Sequence, residues 1–165
     1  MPSNSPVKEA ILDDLQNTAL ALIAAGVSTP PVGGDAYYTP VEYITRVESG
    51  PMDLKMFPAI VIVPLATDYN PQGTEGTLTL AAAYRIQLAL FLRTRTDAVS
   101  KIERFTRDVH KAIMVDRTRN GNAINTRAVN DEVFYPTDDD EPYTISNLII
   151  EVDYRTVWND FNTPT

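Results

Sequence analysis

Chemistry needs particular side chains at particular spacings, and this chain holds few of them. It has one histidine, His110, and no cysteine. Thiolate catalysis, disulfides and cysteine-ligated zinc or iron–sulfur centres are excluded. So is any site that needs two imidazoles. His110 follows the apolar Val109 in a stretch with helical periodicity. A general base needs an oriented partner, so a boundary histidine is the expectation there. Ser3, Ser5, Ser28, Ser49, Ser100 and Ser146 lie in no Gly-x-Ser-x-Gly elbow. Gly33-Gly34 and the spaced Gly73 and Gly76 match neither a phosphate loop nor a dinucleotide fingerprint. The densest titratable cluster is Asp138-Asp139-Asp140-Glu141. Calcium loops space their oxygens, whereas four consecutive acids read as a solvated acidic turn. The enzyme alternative is a carboxylate- or metal-dependent hydrolase using those acids, but no base, nucleophile or oxyanion donor stands beside them. No catalytic, cofactor-binding or metal site is expected, and no cofactor.

Charge is the more informative chemistry. The 165 residues carry a net charge of −8, from 14 basic and 22 acidic side chains. Phosphate binding runs on lysine and arginine, so a chain this acidic is not expected to wrap nucleic acid. The average conceals a split. Residues 85–127 hold 10 basic and 4 acidic groups, or +6, which leaves 4 − 18 = −14 elsewhere. One reading is a solvated helix face with local ion pairs. The other is a basic surface on one subunit meeting an acidic surface on the next, which fixes register in repeated assemblies. On that second reading Arg93, Arg95, Arg104, Arg107 and Lys111 form the positive side. Their partners are expected among the acids of 131–141, including Asp138, Asp139, Asp140 and Glu141. The aromatics Tyr37, Tyr38, Tyr43, Tyr69, Tyr84, Tyr135, Tyr143, Tyr154 and Trp158 do not interleave with basic residues as in a single-strand binding groove. They are expected in core and interface packing.

The elements that must position these groups follow from periodicity. Val7, Ile11, Leu15, Ala19 and Leu22 predict an amphipathic helix over 6–25, capped by Ser5 with Pro6 in its first turn and stopped at Gly26. Residues 27–40 are a Pro/Gly-rich loop. Residues 41–47 predict a short strand, and Phe57 to Pro64 a strand buried on both faces. Thr67 to Gly76 reads as a turn. Thr77 to Arg93 alternates, with Leu78, Leu80, Ala82, Tyr84, Ile86, Leu88, Leu90 and Leu92 at every even position and Thr77, Thr79, Arg85, Gln87 and Arg93 on the odd side. At about 3.3 Å per residue this strand spans roughly 53 Å, longer than a compact body of this size, whose diameter is about 40 Å. It must bend at a bulge or extend as an arm. A second helix, capped by Thr96 or Asp97, runs to about Val115 with Val99, Ile102, Phe105, Val109 and Ile113 inward. Asn120-Gly121 turns the chain. Residues 123–130 extend toward Tyr135 as a strand, 136–142 form the acidic loop, and 143–158 form a second long strand ahead of a polar tail at 159–165. The whole is one α+β domain, a mainly antiparallel sheet with two helices on one face, in the order α-β-β-β-α-β-β. No apolar run approaches the roughly 20 residues of a membrane span, and no secretory signal is visible at the N-terminus.

Five segments carry a resemblance. They are Val7-Lys8-Glu9-Ala10-Ile11-Leu12-Asp13-Asp14-Leu15, Phe57-Pro58-Ala59-Ile60-Val61-Ile62 and Tyr84-Arg85-Ile86-Gln87-Leu88-Ala89-Leu90-Phe91. Phe105 to Ile113 and Leu148 to Thr156 complete the set. Their order and patterning, over 7–25 and 57–158, resemble the tail terminator (tail completion) proteins of tailed bacteriophages, the lambda tail terminator family. The Pro/Gly loop and the acidic insert exceed a minimal member. The resemblance implies a non-enzymatic virion protein that forms a homohexameric ring on the head-proximal end of the tail tube. Such a ring ends tube polymerisation and meets a head-side connector or stopper protein. Its partners are its own copies, the tube protein and that connector, with DNA passing through the lumen unbound and no membrane involved. The implied location is the tail or neck of a virion assembled in the host cytoplasm. The alternatives are another head–tail joining protein (adaptor or stopper) and a soluble ligand-binding module with the Pro/Gly loop as its lid.

Overall fold

The computed structural model describes residues 6–24, 37–47, 54–73, 79–94, 96–135 and 143–157, with the backbone of 160–164. The alternation upstream of Arg93 resolves into β3 (Thr79–Arg93), and its C-terminal counterpart into β5 (Tyr143–Val157). These two strands pair antiparallel along their whole length, from Thr79 opposite Val157 to Arg93 opposite Tyr143. Around them lie α1 (Val7–Asp14), β1 (Tyr43–Arg46), β2 (Ala59–Gln72), α2 (Ala98–Met114), β4 (Asn125–Phe134) and β6 (Asp160–Pro164). The sheet order is β1-β2-β3-β5-β4, with β6 added to β5. All pairings are antiparallel except β1 with β2. The fold is α+β, with both helices on one face of the sheet.

That face is the even-numbered side of the long strands. Ala82, Tyr84, Ile86, Leu88, Leu90 and Leu92 of β3 meet Leu148, Ile150, Val152 and Tyr154 of β5. Ile11, Leu12 and Leu15 from the first helical segment, and Ile102, Phe105, Val109, Ala112 and Ile113 from α2, close over them. Period 2 in the strands and period 3.6 in the helices aim these residues at one another. Burying side chains of this size stabilises by about 1.5–3 kcal/mol each. Thr106 ties α2 to the sheet, its hydroxyl 3.0 Å from that of Ser146.

Several elements differ from the sequence expectation. The first helix is not uniform: α1 passes into a π turn (Leu15–Ala19) and a 3-10 turn (Leu20–Ile23). Ile11, Leu15, Ala19 and Ile23 recur every four residues, slower than 3.6, and the wider π turn keeps all four buried. Pro6 is the N-cap itself, and Ser5 lies outside the described residues. Thr67 to Gly76 is not a turn as far as Gln72, because β2 continues there past a bulge between Pro64 and Thr67. β1 pairs only with Ala59–Ile62 of β2. Pro64 and Pro71 therefore fall where β2 is an edge strand, the place a sheet tolerates proline. Most of this extension is exposed. The long β3, by contrast, is flanked on both sides. The expected polar tail forms β6 from Asp160 to Pro164. Val99 is exposed rather than inward, and burial on α2 begins at Ile102, with Ala112 joining the stripe. Asp97 occupies the N-cap of α2 with a left-handed φ of 54° and no capping side-chain bond.

Candidate functional site

The basic helix is built around an acid. α2 buries Ile102, Phe105, Val109, Ala112 and Ile113, and Asp108 lies among them fully buried. A buried carboxylate needs hydrogen bonds, and it finds them outside its own helix. Its Oδ2 accepts the backbone N–H of Tyr38 at 2.7 Å and of Thr39 at 2.8 Å. A strap of chain, 37–41, is thereby pinned along α2. Its other end is fixed by Val41, whose N–H donates to the Ile23 carbonyl at 2.8 Å. The Tyr38 ring, 58% exposed, lies under two guanidinium groups: Arg107 Cζ at 4.7 Å and Arg104 Cζ at 5.6 Å from its centroid. Lys111 Nζ stands 5.8 Å from the Tyr37 ring. Burial raises the Tyr37 phenol above its usual range, and the Asp108 charge adds to that.

Of the residues assigned to the positive side, Arg104, Arg107 and Lys111 are brought together on this one helix face. Arg93 is exposed at the end of β3, opposite Tyr143, and stands apart from them. Arg95 lies outside the described residues, as do Asp138, Asp139, Asp140 and Glu141. Asp131, the first of the expected acidic partners, lies in the same chain as Arg107 and lines the same groove. This groove, of about 350 Å³, runs between α2 and β4 and is lined by Glu103, Thr106, Arg107, His110, Ala128, Asp131, Val133 and Leu148. His110 is exposed there between residues of both signs.

Other arginines have carboxylate partners within the chain. On the sheet face away from the helices, Asp68, Arg85, Glu151, Arg127 and Asp153 form a ladder across β2, β3, β5 and β4. Arg85 Nε donates to Glu151 at 3.0 Å and Nη2 lies 3.5 Å from Asp68, while Arg127 reaches both Glu151 and Asp153. Glu151, 7% exposed, is the shared acceptor. Arg46 pairs with Glu9 and Asp13, joining β1 to α1. Arg119 is fully buried with Asp14, 3.3 Å from its Nη1, and also donates to the Ile113 carbonyl. Burial raises Asp14 against the opposing charge of Arg119, and burial lowers Arg119. Arg104 and Arg107 are different: their partner among the described residues is the Tyr38 ring.

A second cluster of titratable groups lies where α1 crosses the sheet. Lys8 Nζ sits 5.2 Å from the Tyr69 ring and 5.1 Å from that of Tyr84. Burial pushes Tyr84 up to about 12 and also raises Tyr154. Burial works against Tyr69 ionising too, but hydrogen bonding with Lys8 and Tyr154 outweighs it and leaves that phenol below its usual range.

Sequence reasoning missed Asp108 and Glu151, and it placed Tyr37 and Tyr38 in core and interface packing without their contact with the basic helix. Asp108 left one signal, an acid three residues after Phe105 and four before Ala112 on the apolar stripe. Glu151 left another, an acid that antiparallel pairing sets opposite an arginine. Tyr37 and Tyr38 left none, since only tertiary contact brings the strap to α2.

No family model matches the chain, and no curated protein matches it. Among solved structures, a chain described as "Virion of native gene transfer agent (GTA) particle" is similar, with 7% identity and a TM-score of 0.34 over 92% of this chain and 93% of that one.

Proposed function

We propose that this is a non-enzymatic structural virion protein. It forms a homohexameric ring at the head-proximal end of a phage tail tube, ends tube polymerisation and joins the tail to a head-side connector or stopper. The observation that carries the reading is the unequal treatment of the arginines. Arg46, Arg85, Arg119 and Arg127 are neutralised by carboxylates of their own chain. Arg104 and Arg107 are exposed, and among the described residues their partner is the Tyr38 ring. Cations presented in this way suit a carboxylate from another molecule, and the chain carries −14 outside its basic stretch. A head-to-tail contact between unlike surfaces closes into a ring when the rotation permits. The sequence resemblance supplies the place of that ring in a virion. Self, tube protein and connector are the partners, and the net acidic charge favours DNA sliding through the lumen. The ring belongs in the tail or neck and assembles in the host cytoplasm.

Native mass spectrometry across a salt series tests this, with and without purified tube protein. The expected result is a discrete hexamer that dissociates as salt screens the seams. A chain that stays monomeric at low salt and fails to cap tubes overturns it. The second reading, an adaptor or stopper, is favoured if the ring binds DNA-filled heads and ignores purified tails.

A further inference from the structure

We infer that Tyr38, anchored through Asp108, is a positioning residue that holds Arg104 and Arg107 as a preformed carboxylate receptor, occupied by the acidic run Asp138–Glu141 of a second copy. The inference deepens the assembly reading above and rests on it.

A guanidinium on an exposed helix normally samples many rotamers, and ordering one on binding costs free energy. Here two of them share one aromatic ring, at 4.7 and 5.6 Å. Stacking uses the flat face of a guanidinium and leaves its N–H edge free to donate. The strap that carries the ring is itself fixed, because the backbone N–H groups of Tyr38 and Thr39 are held by a buried carboxylate at 2.7 and 2.8 Å. The arrangement gathers two guanidinium groups at one exposed place, and each can offer paired N–H donors to a carboxylate.

The occupant follows from charge and supply. Four consecutive acids occur once in the chain, between Pro136 and Pro142. A nucleic-acid backbone is the other polyanion to consider. Glu103 and Asp131 border the same face, however, and a net charge of −8 repels a long phosphate chain. A short acidic segment needs only the two arginines.

The test uses the full chain and a fluorescently labelled peptide of residues 135–143, read by anisotropy at low salt. The peptide is expected to bind, and its counterpart with Asn and Gln replacing the four acids is not. Tyr38→Phe keeps the ring and should bind as the parent does. Tyr38→Ala should weaken binding about two- to fivefold, the scale of a lost exposed cation–π contact. Arg104→Lys with Arg107→Lys keeps both charges but loses planar stacking, and should weaken it similarly. Tyr38 is exposed, and a melting curve checks that its variants stay folded. No binding of the acidic peptide overturns the inference. So does equal binding by Tyr38→Ala, or a short DNA duplex bound more tightly than the peptide. If the peptide binds as expected and no ring forms, the receptor stands and the ring reading falls. If a ring forms while the peptide is ignored and Tyr38→Ala assembles normally, the receptor falls and the ring reading stands.

Discussion

Two acids beside Arg119, one closing α1 and one following α2, show how one residue type takes opposite roles. Asp116 is partly exposed and sits at the hub of the turn after α2. Its Oδ1 accepts from the backbone and hydroxyl of Thr118, and its Oδ2 from the Asn120 N–H at 2.7 Å. Burial alone would raise it, but these bonds and the Arg119 charge outweigh burial and hold it below 3.8. A carboxyl lowered on folding stabilises the fold above its unfolded value, and that contribution is lost as pH falls through the folded value. Asp116→Asn is therefore expected to cost about 1 kcal/mol at pH 7. In urea melts the gap between variant and parent should shrink below pH 3.8 and close at lower pH; a constant gap would contradict the assignment. Asp14 is raised instead, and its charged form is tolerated only because Arg119 is buried beside it. Arg119→Met should therefore cost about 3–5 kcal/mol at neutral pH, the scale for stranding one member of a buried pair. Equilibrium denaturation reads this directly, and a loss under 1 kcal/mol would show that water reaches Asp14.

At the scale of the element, α2 carries the assembly reading. Its inner stripe holds the fold and its outer row faces solvent, so the two can be altered separately. Arg104→Glu with Arg107→Glu should abolish hexamer formation in native mass spectrometry while shifting the melting temperature by only a few degrees. Unchanged assembly would remove this helix face from the interface. The helix was legible in sequence because Ile102, Phe105, Val109 and Ile113 repeat at three and four residues. β3 and β5 were legible because apolar residues recur at every second position, Leu80 to Leu92 in the one and Leu148 to Tyr154 in the other. The far half of β2 was not. Asn70, Pro71 and Gly73 are turn-formers, and only pairing with the strongly patterned β3 draws Thr67 to Gln72 into the sheet. β6 was hidden for the same reason: three of its five residues, Asp160, Asn162 and Thr163, are polar, and β5 supplies the ladder. The basic row was legible from its spacing along one helix. The strap beneath it was not, because its contact with α2 spans 70 residues, from Tyr38 to Asp108.

For the whole molecule, the long sheet divides the labour. One face holds the core, and the other carries the Asp68–Arg85–Glu151–Arg127–Asp153 ladder. The +6 and −14 portions of the chain thus interlock in part within a single copy, through Arg85 and Arg127. The strand order places β5 between β3 and β4, so losing it would split the sheet. A chain ending at residue 135 should lack cooperative unfolding by circular dichroism and aggregate through the open edge of β3. A folded, soluble fragment would show that β1–β3 and the helices form a core alone. Strand order also bears on synthesis. β3 leaves the ribosome with a row of leucines and no partner on one side, and that partner is complete only 157 − 93 = 64 residues later. At about 5–20 residues per second the wait is several seconds. During it, neighbouring nascent chains on one message carry the same unpaired edge within reach of one another. The separation of β5 from β3 along the chain is therefore expected to make the yield of folded protein depend on how crowded its own message is with ribosomes.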